Sequence, residues 1–62
     1  MNERTIRKML VIGELKDVKK SMIRTGALMQ EFDLPIYEHG EEMIAASNLV
    51  QIWIDGIEAT IT

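Results

Sequence analysis

Four cations within nine residues, Lys16, Lys19, Lys20 and Arg24, are the constellation best suited to chemistry in this chain. On a helix, Lys16, Lys20 and Arg24 are four apart and form one ridge. Such a ridge attracts anions: the phosphate of a small ligand, the backbone of a structured RNA, or the carboxylates of a protein. An exposed charge run is also compatible with plain solvation, or with acids supplied by a second subunit.

Other chemistry has thin support. Ser21 and Ser47 have only His39 as a histidine base, and that residue falls in a turn region. A nucleophile needs both a base and a group to orient it on a rigid scaffold. Glu41 and Glu42 are adjacent, so a helix sends them to different sides. They suit the positive N-terminus of a helix better than a catalytic pair. A carboxylate-bridged metal pair in a bundle uses Glu-x-x-His, and here Glu42 follows His39 instead. Gly13 and Gly26 are isolated and lack the phosphate-loop pattern. The sequence therefore predicts a non-enzymatic protein with no metal and no cofactor.

The charges are unevenly distributed. Seven cations against three acids give +4 over residues 1–30, and seven acids with no Lys or Arg give −7 over residues 31–62. The chain has 62 residues, which makes one domain. A domain this small is marginal alone, and the usual supplements are a disulfide, a metal or self-association. It has no cysteine and one histidine, so self-association is the expected supplement. No run approaches the ~18 apolar residues of a membrane span. The absence of cysteine suits a reducing compartment, and the cytoplasm is the expected location.

These residues must be positioned by helices. Val11, Leu15, Val18, Met22, Thr25, Met29 and Phe32 recur at alternating spacings of four and three, a heptad stripe on a helix over 5–32. Ile6, Met9, Leu10 and Ile12 lie off that stripe and are candidates for a second contact with another chain. Asp33, Leu34 and Pro35 break the pattern, so the turn is expected at 33–36. Asp33 is a candidate cap for a second helix over 37–60. Gly40 marks an alternative later start.

In that second segment, Met43, Ala46, Val50, Trp53, Ile57 and Thr60 repeat the stripe. Asp55-Gly56 between alternating apolar residues also carries a β-hairpin signal. The helical reading is preferred, because its pattern extends back through Met43 and a lone hairpin lacks a sheet to join. The predicted fold is all-α: an antiparallel helical hairpin that completes a helical bundle by self-association. The alternative is a helix followed by a β-hairpin at Asp55-Gly56. Val11, Leu15, Val18, Met22, Val50, Trp53 and Ile57 are the predicted core or oligomer contacts.

In size and plan this unit resembles the Rop-type RNA-binding bundles, dimers of helical hairpins. Gln51, Ile52, Trp53, Ile54, Asp55, Gly56 and Ile57 loosely resemble the second-helix motif of the aspartyl-phosphate phosphatases of sporulation control, with Gln51 where that motif has serine. Neither likeness assigns a role to a residue.

In an antiparallel hairpin turning near Pro35, facing positions have numbers summing to about 70. Lys16 through Arg24 then face residues 46–54, a stretch without an acid. The ridge is therefore expected to serve something outside the hairpin. The expected function is that of a small regulatory or inhibitory protein, in kind like phage-encoded inhibitors. It would act as a homodimer or higher oligomer by stoichiometric binding to a partner protein. The alternative is sequestration of a nucleotide-like phosphorylated ligand, or binding of structured RNA, by Lys16, Lys19, Lys20 and Arg24.

Overall fold

The computed structural model describes residues 2–61, which form two helices packed against each other. Helix α1 spans Glu3–Met29 and α2 spans Ile36–Glu58. Asn2 starts α1: its side-chain oxygen accepts from the Thr5 amide at 2.8 Å, satisfying one of the orphan donors of a helix start. The helix ends at Met29, earlier than the stripe predicts. The amides of Glu31 and Phe32 donate to the carbonyls of Leu28 and Met29, so the chain tightens into successive three-residue turns ahead of Pro35.

Asp33 does not cap α2. Pro35 occupies the cap position without a side-chain hydrogen bond, and Asp33 contributes its backbone carbonyl to the Tyr37 amide. A proline there removes an amide the helix start would leave unpaired anyway. Asp55 and Gly56 lie inside α2, and no strand occurs among the described residues.

The levels follow helix geometry. Lys8 reaches Thr60, Lys19 reaches Gln51, and Gly26 meets Gly40 and Ile44. The buried apolar core is small: Ile12, Val50 and Ile54, with Leu15, Met22, Ile57 and Ile61 packed around it. Ser47 is buried in the same seam, and its hydroxyl donates to the Ile44 carbonyl at 2.6 Å. That bond satisfies a polar group which burial would otherwise penalise.

Near the turn the helices touch through glycine. A Cβ built on Gly26 would stand 2.8 Å from the Gly40 carbonyl oxygen and 2.6 Å from Ile44 Cγ1. One built on Gly40 would stand 2.5 Å from the Gly26 oxygen. Each glycine weakens its helix by about 1 kcal/mol relative to alanine. The close backbone approach is what they make possible in return.

Candidate functional site

The hairpin is a flat ribbon, 49 × 14 × 10 Å, with two broad faces. Helix period decides which side chains fall on each. The seam takes Ile12, Leu15, Lys19, Met22, Gly26 and Met29 from α1, all buried or half-buried. The predicted stripe shares Leu15, Met22 and Met29 with it, but Val11, Val18 and Thr25 sit one step round the helix and are exposed, and Phe32, past the helix end, is exposed too.

On α2, Val50 is buried and Ile57 half-buried, while Trp53 is exposed. Val11 and Ile57 line one indentation together with Gly56 and Thr60, so both belong to the same broad face. The helix period adds Val18 to that face from α1, and Ala46 and Trp53 from α2. Val11, Val18 and Trp53 are exposed to 47%, 46% and 55%. These side chains are left largely uncovered by the neighbouring helix of the hairpin.

The opposite face carries the cations, and at its end Met9, Ile12 and Ile61 line an apolar indentation beside Lys16 and Glu58. Lys16, Lys19 and Lys20 line an indentation of about 290 Å³ with Ile23 and Gln51. Lys19 Nζ donates to Gln51 Oε1 at 2.7 Å, and Gln51 Nε2 donates to Asp55 Oδ1 at 2.8 Å. Gln51 therefore links a lysine of α1 to an acid one turn further along α2. Lys16 stands 3.8 Å from Glu58, beyond hydrogen-bond range. Among the described residues, Lys20 and Arg24 form no ion pair. The stretch facing the ridge is indeed free of acids, but Glu58 and Asp55 reach back towards its first two lysines.

The second contact proposed for Ile6, Met9, Leu10 and Ile12 divides. Ile12 joins the core against Val50 and Ile54, whereas Ile6, Met9 and Leu10 are exposed. His39 is exposed near the turn, with Nδ1 3.7 Å from Glu42 Oε2. Among the described residues no group of three His, Asp or Glu side chains is placed to hold a metal. No helix among them is long and apolar enough to cross a membrane. Comparison with protein-family models, curated proteins and solved structures returns no match for this chain.

Two packing features escape the sequence pattern. Gly40, read as a possible helix start, is an interior seam residue paired with Gly26. Lys8 and Lys19 are half-buried in the seam by their stems while their ammonium groups reach Thr60 and Gln51. The available signal for both was level: each has its partner near the facing position that helix geometry assigns.

Proposed function

We propose that the chain is a non-enzymatic interaction protein whose working unit is a homodimer, two hairpins meeting across the face of Val11, Val18 and Trp53. The dimer would act by stoichiometric binding to a partner protein, in the manner of a small regulator or inhibitor. The single observation that carries this reading is the exposed apolar face.

Its magnitude supports a second copy. Among the described residues, fourteen large apolar side chains are exposed against three buried, too few to hold two helices alone. A compact monomer of 7.1 kDa has a surface of roughly 4,100 Å². This chain exposes 4784 Å², an excess of about 700 Å², close to the ~800 Å² each partner contributes to a standard interface. Knobs from both helices on one face also match the way helical hairpins combine into bundles.

Charge selects an orientation. Residues 25–46, the turn end, carry Glu31, Asp33, Glu38, Glu41 and Glu42 with no Lys or Arg, a charge of −5. Arg4, Arg7 and Lys8 rim the apolar face at the other end. Two copies laid in the same direction would set −5 beside −5. Turned end for end, each acidic turn meets the partner's basic rim, with Val18 near the two-fold axis.

Light scattering at micromolar concentration tests the unit: the expected mass is about twice 7.1 kDa. A stable, fully helical monomer would sink the proposal. For the partner, pull-down with the wild-type chain and with Val18→Asp should recover a protein in fixed ratio with the wild type alone. Catalytic turnover of a captured small molecule would point to another class of function.

A further inference from the structure

We infer that the polar face carries a binding site for a small phosphate-bearing ligand of the nucleotide class, held by Lys16, Lys19, Lys20 and Gln51, with Arg24 at its edge. This goes beyond the dimer, because every named residue comes from one chain and the site lies on the face away from Val11 and Val18. A dimer joined through the apolar face would therefore carry two such sites, on its two outer surfaces.

Three observations converge on that groove. The first is charge. Lys16, Lys19 and Lys20 line it with no acid among its lining residues, and Arg24 lies one turn beyond Lys20, so cations gather where a phosphate group can accept charge-assisted hydrogen bonds. Glu14, Asp17, Asp55 and Glu58 are the acids nearest in sequence or across the hairpin. The second is preorganisation. Gln51 is pinned at both ends, accepting from Lys19 at 2.7 Å and donating to Asp55 at 2.8 Å, so the Lys19 ammonium is held in place with donor capacity to spare. Lys16 is held only by Glu58 at 3.8 Å, and Lys20 and Arg24 by no acid within ion-pair distance. An incoming phosphate thus gains several charge-assisted hydrogen bonds without breaking a strong one.

The third observation is shape. The indentation of about 290 Å³ lies at the small end of ligand sites, and Ile23, half-exposed at its wall, offers an apolar surface to a planar ring. A duplex or structured RNA fits less well. Its affinity rests on a long positive footprint, and the chain beyond Glu31 is uniformly acidic. A carboxylate side chain carries less charge than a phosphate group and offers fewer acceptor oxygens to three lysines.

Equilibrium dialysis with ADP, inorganic pyrophosphate and a structured RNA hairpin tests the site on the full chain. ADP should bind saturably, and pyrophosphate should displace it. The double variant Lys16→Gln with Lys20→Gln should weaken ADP at least tenfold with helicity and mass unchanged. Arg7→Gln, a cation outside the groove, should leave ADP affinity within twofold. Loss of binding in Arg7→Gln equal to that in the groove variant would overturn the site as mere net charge. So would absence of saturable ADP binding at millimolar concentration, or preference for the RNA. Light scattering on the same samples reports the dimer separately, so either proposal can fail without the other.

Discussion

The two broad faces of this hairpin are built from the same two helices and differ in how they are completed. On the polar face the important groups find partners within the chain: Lys19 with Gln51, Gln51 with Asp55, Lys16 towards Glu58. On the apolar face Val11, Val18 and Trp53 find none. A polar side chain can be satisfied by one neighbour or by water, whereas an apolar one is satisfied only by removing water from its whole surface. The polar groups of the first face are therefore met within the chain or by water, whereas the second leaves apolar surface that the proposed second copy would cover.

The largest expected effect separates the faces directly. Val18→Asp would bury a carboxylate near the two-fold axis twice per dimer, and should cost about 3–5 kcal/mol of dimer stability. Ile23→Asp, at similar exposure on the polar face, should cost the hairpin about 1–2 kcal/mol of its own apolar burial but leave the dimer dissociation constant unchanged. Sedimentation equilibrium and urea melts followed by far-UV circular dichroism read both variants. Equal effects of the two substitutions would erase the distinction between the faces.

Next in size is the seam that both faces share. Gly26→Ala pushes a methyl against the Gly40 carbonyl oxygen, and backbone cannot swing aside as a flexible side chain can. The strain of about 1–3 kcal/mol typical of overpacking offsets or exceeds the helix-propensity gain of about 1 kcal/mol, so a net loss of up to about 2 kcal/mol is expected in thermal melts. Gain of stability instead would mean that the helices stand further apart at the turn end.

How much of this was legible follows from particular residues. The two helices, the break before Pro35 and the facing levels come from periodicity and backbone chemistry, which act locally. The exact seam does not. The apolar stripe through Val11 and Val18 is the more regular pattern, yet the contact within the chain runs one step away, through Ile12, Lys19 and Gly26. Lysine and glycine do not score as core residues, although a lysine stem buries well and a glycine allows the closest approach. A heptad stripe marks the face a helix can present to other helices, and in this two-helix hairpin the neighbour takes up only part of it. Asp33 misled for another reason: Pro35 already occupies the cap position, leaving no side-chain role there.

The orientation of the copies is tested by smaller, screened energies. Arg4→Glu with Arg7→Glu removes the basic rim that would meet the partner's acidic turn. Exposed pairs are worth 0.2–1 kcal/mol each, so the dimer should weaken by about 1 kcal/mol at low salt, and the loss should largely vanish in 1 M salt. Arg7 also gives up its exposed pair with Glu3 at 2.8 Å, which Glu3→Gln alone measures. If the double variant tightens the dimer, the two copies run in the same direction, with the rims facing each other.

The finest comparison uses two glycines in the same setting. Gly13 and Gly56 are exposed, interior to their helices, and a Cβ on either would meet nothing within 4 Å in the hairpin. Gly13 lies by Lys16 and Glu58, and also by Met9 and Ile61, on the side of the cations. Gly56 lies beside Val11 and Ile57, on the apolar side. In a lone hairpin both alanine variants would stabilise by about the same helix-propensity gain, at most 1 kcal/mol. Under a second copy, Gly13→Ala keeps that gain, whereas Gly56→Ala adds a methyl where the partner's surface would rest. Thermal melts should then show Gly13→Ala raised and Gly56→Ala unchanged or lowered, with the gap closing on dilution below the dimer dissociation constant. Equal stabilisation at every concentration would leave the face around Gly56 open to water and move the contact between copies elsewhere.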